Sequence, residues 1–182
     1  LSLERVMPLR YGENPHQKGA FYRELSVNEP SIAGATLLQG KEISYNNIMD
    51  ADAALDTVKE FEETAVVIIK HSNPCGVARS AQSLADAYRK AQACDPISAF
   101  GGIVALNRPC DAETAKAITS IFTEVVIAPG YSEEARSIFS AKKDIRLLEV
   151  PFTKGYVSTG FDMKKVVGGM LIQQRDLGKI DD

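Results

Sequence analysis

Lys70 and His71 stand side by side in a setting suited to proton and charge chemistry. Imidazole is the side chain best matched to proton transfer near neutral pH, and a neighbouring ammonium can stabilise negative charge developing on a reacting oxygen. The pair follows Val66-Val67-Ile68-Ile69, four consecutive β-branched residues, and enters Ser72-Asn73-Pro74-Cys75-Gly76, which reads as a turn locked by Pro74 and Gly76. Ligands of open α/β sheets collect beyond the carboxyl ends of the strands, so this position suits a base and a charge stabiliser. A strand running out into solvent would give the same string.

Other segments have candidate chemistry of their own. In Asp95-Pro96-Ile97-Ser98-Ala99-Phe100-Gly101-Gly102, an exposed Phe100 would sit beside two glycines that permit close backbone approach to a ligand. The alternative is a tight turn feeding a strand at Ile103, with Phe100 in the core. This loop lacks the G-x-G-x-x-G spacing and any Walker sequence, so it carries no nucleotide fingerprint. Glu124 precedes a strand-like run, where a lone Glu is ordinarily a solvated end, and the turn Ala128-Pro129-Gly130-Tyr131 follows that run. Arg10-Tyr11 offers a guanidinium fork and a phenol for a phosphate, although arginine in a loop is commonly plain surface. Cys75 is a conceivable nucleophile near His71, but its turn setting favours a structural thiol, and Cys94 and Cys110 have no evident base. Pro74-Cys75-Gly76 superficially resembles the Pro-Cys-x-x-Cys of zinc deaminases, yet position 78 is Ala and a His-x-Glu partner is missing, so no metal site is expected.

The elements that must position these residues follow from periodicity. Arg10 to Gln17 is too rich in Gly, Asn and Pro for a regular element and is expected to be a loop before a short strand near Ala20 to Arg23. A turn follows at Leu38-Gln39-Gly40-Lys41. Ile48, Ala51, Leu55 and Val58 recur at helical spacing, predicting a helix from Asn46 to Phe61 with Ser44 or Asn46 as N-cap. Thr64 to Ile69 is β-branched without alternation, as in a parallel-sheet strand covered on both faces. Helices near Leu84–Ala93, Ala112–Phe122 and Glu133–Ala141 alternate with strands at Ile103–Leu106, Val125–Ala128, Arg146–Val150 and Lys165–Ile172, and Pro151 to Asp162 reads as a surface excursion. The alternation predicts crossover units in an α/β layer architecture.

Five ordered blocks carry a resemblance: Leu9 to Gln17, Leu38 to Lys41 with Ser44 to Asn47, Lys70 to Gly76, Asp95 to Gly102, and Ile127 to Gly130. Together they resemble the bacterial bifunctional purine biosynthesis family, which joins IMP cyclohydrolase to AICAR transformylase, and the likeness covers essentially the whole chain. It implies that residues 1–182 are the N-terminal half of the transformylase domain, with the cyclohydrolase domain and the other transformylase half absent. It further implies a three-layer α/β/α sandwich of cytidine deaminase-like type with a mostly parallel or mixed sheet. The implied reaction moves a formyl group from 10-formyltetrahydrofolate to the 5-amino group of AICAR, without a metal. His71 is then the proton acceptor and Lys70 the transition-state stabiliser. Arg10, Tyr11, Gly101 and Glu124 would contact the nucleotide, Asn47 would line the site wall, and Phe100 would lie on the folate side. The resemblance also implies a homodimeric parent protein with the transformylase site at the subunit interface. The alternative reading is a fragment that binds AICAR without turning it over, acting only as a nucleotide-binding or dimerisation module.

The composition is that of an ordinary soluble globular protein. Of 182 residues, 45% are hydrophobic and 25% charged, with 21 Lys plus Arg against 24 Asp plus Glu. The mild acidic excess, the lack of a basic cluster and the absence of Trp argue against a nucleic-acid partner. No apolar run is long enough for a membrane span, and no signal peptide is legible. Three widely spaced Cys fit a reducing compartment, so a cytoplasmic location is expected. With no initiator Met, the chain reads as an excerpt of a larger protein.

Overall fold

The computed structural model describes residues 2–25, 29–151 and 160–178. Residues 1–152 form one compact unit and 153–182 a second. The first unit opens with an antiparallel pair, β1 (Leu3–Leu9) and β2 (Gly19–Glu24), flanking the loop that contains Arg10 and Tyr11. β1 is an addition to the sequence reading: Leu3-Glu4-Arg5-Val6 lacks a buried face, and its exposed residues form a strand through backbone pairing to β2. A 3₁₀ turn (Ile32–Gly34), β3 (Thr36–Gln39) and α1 (Tyr45–Lys59) follow.

The main sheet has six strands in the order β3-β8-β7-β6-β4-β5, with β4 at Ala65–Lys70, β5 at Asn73–Arg79, β6 at Gly102–Leu106, β7 at Thr123–Ala128 and β8 at Arg146–Glu149. β6, β7 and β8 are mutually parallel, whereas β4 runs antiparallel to both β5 and β6 and β3 antiparallel to β8. The sheet is therefore mixed. α2 (Leu84–Cys94), α3 (Ala112–Ile118) and α4 (Glu133–Ser140) supply the connections β5 to β6, β6 to β7 and β7 to β8.

The unbroken apolar runs have a direct explanation in the two cores. Val66, Ile68, Val104, Leu106, Val126 and Leu147 face α2, α3 and α4, packing with Tyr88, Ile118 and Phe139. The alternate residues Ala65, Val67, Ile69, Ile103, Val125, Ile127 and Leu148 face α1, packing with Ala51, Ala54, Leu55 and Val58. A strand covered on both faces has no use for polar alternation, and each aliphatic side chain so buried contributes roughly 1.5–3 kcal/mol. The result is a three-layer α/β/α unit.

Several boundaries differ from those predicted. Pro74 and Gly76 lie in β5 rather than in a turn: β5 is an edge strand, where a missing N–H is tolerated. α3 ends at Ile118 because the Thr119 and Ser120 hydroxyls fold back onto the carbonyls of Ala115 and Ala117, at 2.8 and 2.6 Å. In the second unit, the strand expected over Lys165–Ile172 is a hairpin, β9 (Phe161–Val166) and β10 (Gly169–Gln174), broken at Val167-Gly168 where Gly168 adopts φ +74°. Most of the excursion expected at 151–162 lies outside the described residues.

Candidate active site

Lys70 pairs with Asn73 across a two-residue hairpin turn whose central residues, His71 and Ser72, have φ of 56° and 58°. Positive φ at both central positions is the type I′ geometry that twists correctly into a hairpin, but Asn-Gly is its usual sequence. Holding non-glycine residues there costs on the order of 1–2 kcal/mol each. Local hydrogen bonds offset this. The Asn73 side-chain amide donates to the His71 carbonyl at 2.8 Å, and the Ser72 amide and hydroxyl both donate to Asp50 Oδ1, at 2.7 and 3.2 Å. His71 is exposed at the tip, and Lys70 is half-buried.

The Lys70 ammonium turns towards the start of β6 and donates to the Phe100 carbonyl. Gly101 has φ +71°, and a Cβ at that position would lie 3.5 Å from both Lys70 Nζ and the Phe122 ring. Its amide donates to the Phe122 carbonyl at 2.8 Å, tying the Asp95–Gly102 loop to the residue before β7. The Phe100 and Phe122 rings are tilted against each other with centroids 5.6 Å apart. Phe100 is 57% exposed, so the loop is indeed a tight turn feeding β6, but this aromatic does not enter the core.

Glu124 is tied down rather than solvated: Oε2 accepts from Asn47 Nδ2 at 2.7 Å. Asn47 is aimed there by a capping box at the start of α1, in which its amide N–H donates to Ser44 Oγ and its Oδ1 accepts from the Ser44 N–H. One turn along, Asp50 holds the His71-Ser72 turn, while Asn46 Nδ2 reaches the Glu13 carbonyl of the first loop at 3.4 Å. Asp50 is a helix neighbour of both Asn46 (i,i+4) and Asn47 (i,i+3), so the first turns of α1 join three otherwise separate segments.

Lys70, His71, Asn47, Phe100, Gly101 and Glu124 thus gather at one edge of the sheet. It is the carboxyl end of β4 but the amino end of β6 and β7, because β4 is reversed relative to them. The turn at Ala128 to Tyr131 is consequently at the opposite edge. Tyr131 Oη lies 2.8 Å from the Val126 carbonyl and 3.0 Å from that of Leu148, and burial raises its phenol well above the ordinary range. Arg10 is exposed with its guanidinium 5.8 Å over the Tyr11 ring. Among the described residues no hydrogen bond joins Arg10 or Tyr11 to the Lys70 cluster, and their loop approaches it through Glu13 and Asn46. From the sequence Ser72 and Asn73 are legible only as turn residues, and Asp50 and Phe122 have no assigned part; for Asp50 the available signal is its i,i+3 spacing from Asn47.

The thiols do not belong to this centre. Burial raises the Cys75 pKa, and Cys75 Sγ contacts the Ile68 carbonyl at 3.5 Å. Cys110 is fully buried and pushed up to about 12. Alkylation of the native protein is therefore expected to modify exposed Cys94 first and Cys110 only on unfolding, as peptide mass mapping would read. Among the described residues no three His, Cys, Asp or Glu side chains gather as metal ligands would, and no helix is long and apolar enough to cross a membrane.

The sequence model of the AICARFT/IMPCHase bienzyme matches residues 1–182, the full span that carries this arrangement. The chain belongs to the AICARFT/IMPCHase bienzyme family. Within that family it is similar to the bifunctional purine biosynthesis protein PurH of Rhodospirillum rubrum, with 60% identity over 168 residues, or 92% of this chain and 32% of the relative. PurH of Cereibacter sphaeroides is 58% identical over 176 residues, 95% of this chain and 33% of the relative. PurH of Anaeromyxobacter sp. is 53% identical over 184 residues, 97% and 35% respectively. The chain spans about a third of the length of these bienzyme relatives.

Proposed function

We propose that residues 1–182 are the N-terminal half of an AICAR transformylase domain and supply the base and charge stabiliser for formyl transfer from 10-formyltetrahydrofolate to the 5-amino group of AICAR. The product is FAICAR, on the route to IMP, and the complete protein also carries IMP cyclohydrolase activity, acts as a cytoplasmic homodimer and needs no metal. The observation that carries this reading is the placement of the Lys70 ammonium against Phe100 and Gly101, with His71 next to it on a fixed turn, in a chain of the bienzyme family.

The chemistry suits these groups. The AICAR amine is a weak nucleophile because its lone pair is delocalised into the ring. As nitrogen bonds to the formyl carbon, His71 takes the amine proton and the carbonyl electron pair moves onto oxygen, where Lys70 stabilises it. Collapse of that intermediate breaks the bond to the folate nitrogen, which takes up the proton held on His71 and leaves as tetrahydrofolate. Glu124 and Asn47 form a polar wall for the nucleotide, Gly101 allows its close approach, and Phe100 offers an exposed aromatic face on the folate side. Arg10 and Tyr11 bind the phosphate.

The test is formyl transfer by the full-length protein, followed as tetrahydrofolate release; a folded protein that binds AICAR without turnover would instead make this segment a binding module. Arg10→Ala is expected to weaken AICAR by about 1.5–3 kcal/mol, the scale of a hydrogen bond to a charged group. The dephosphorylated nucleoside should be nearly unaffected, and equal losses for the two in calorimetric titration would contradict a phosphate role.

A further inference from the structure

We infer that Asp50 is a positioning residue for the Lys70-His71 pair, acting through Ser72; this rests on the transformylase reading above. Both residues of the turn occupy left-handed backbone, an uncommon conformation for any residue but glycine and one for which Ser72 has less tolerance than His71. The support from outside the hairpin comes from α1, whose Asp50 Oδ1 receives two hydrogen bonds from Ser72, one from the amide and one from the hydroxyl. A carboxylate acceptor makes these stronger than bonds between neutral groups. Asn73 fixes the turn from within by closing on the His71 carbonyl. The same helix face holds Asn47 on Glu124, so α1 sets the base and the polar wall relative to one another.

The geometry has a specific consequence. Among the described residues the Asp50 side chain makes no hydrogen bond or ion pair with Lys70 or His71; it holds Ser72, next to them in the turn. Losing it releases the turn to ordinary negative-φ conformations, which re-aim the imidazole and draw the ammonium off the Phe100 carbonyl. A displacement of about 1 Å at a reacting group costs on the order of 10²-fold in rate. The loss falls on kcat, because the groups that hold the nucleotide are left in place.

In the full-length protein, Asp50→Ala is expected to lower kcat for formyl transfer by about 10²-fold with little change in KM for AICAR. Asp50→Asn keeps an oxygen acceptor and is expected to recover kcat to within about tenfold of the parent. Hydrogen exchange at the Ser72 amide should accelerate in the Ala variant and much less in the Asn variant. Unchanged kcat in Asp50→Ala beside an active parent would overturn the inference, as would an Asn variant that melts like the parent yet regains none of the lost rate. If the parent itself lacks transformylase activity, the functional reading fails on its own, and exchange at Ser72 still decides whether Asp50 clamps the turn: an unchanged rate refutes it.

Discussion

Replacing His71 by Asn in the full-length protein is expected to lower kcat for formyl transfer by about 10² to 10⁴-fold, the usual contribution of a positioned general base. Asn is the informative substitution because it tolerates left-handed backbone, and His71 sits at φ 56°. His71→Ala should lose as much activity, but it also places a Cβ-bearing residue without that tolerance in the strained turn, mixing a conformational penalty into the result. Each variant is read by single-turnover formyl transfer together with thermal melting. Loss of turnover with an unchanged melting temperature assigns the proton transfer to His71. Near-normal turnover in the Asn variant would remove His71 from the mechanism and leave Lys70, on its carbonyl perch, as the principal electrostatic group.

The second large effect concerns stability. A Cβ built on Gly76 would lie 2.0 Å from the carbonyl oxygen of Ala91 and 2.7 Å from its carbonyl carbon. Both are backbone atoms of α2, so no side chain can rotate away, and α2 would have to lift from β5. Gly76→Ala is therefore expected to cost roughly 3 kcal/mol or more, at the upper end of overpacking penalties. Gly130→Ala is the matched control: a Cβ there meets nothing within 4 Å, and such changes fall within about 0.5 kcal/mol. Urea midpoints for the two variants and the parent provide the comparison, and a Gly76→Ala midpoint equal to the parent's would refute the close approach.

These two positions also show what the sequence could reveal. His71 was legible because its type and its place after a β-branched run are local facts. Gly76 was visible as a special residue but was assigned the wrong job, since in sequence a glycine that admits a helix looks the same as one that makes a turn. The two-sided burial of β4, β6 and β7 could be read from their lack of alternation, whereas the reversal of β4 could not, because strand direction is set by the tertiary connection through α2. Phe100 likewise remained ambiguous until its exposure was known. Asp50 meets Ser72 across 22 residues and Asn47 meets Glu124 across 77, and polar contacts of that range leave no periodic trace. The α1 cap, in contrast, was legible from its own neighbourhood as Ser44 or Asn46, and it is Ser44.

The reversed β4 also bears on the order in which the molecule assembles. Its partner β5 follows after two residues, so this hairpin closes a minimal loop, whereas β3 must wait for β8, with Thr36 paired to Glu149. Loop-closure entropy favours the local pairing and delays the distant one. The turn that carries Lys70 and His71 is thus built at the earliest-closing point of the sheet, and its clamp residue lies on the helix immediately before it in the chain. A nascent chain can shape this turn before β6, β7 or β8 has been synthesised, and the later strands then pack around a feature that already exists.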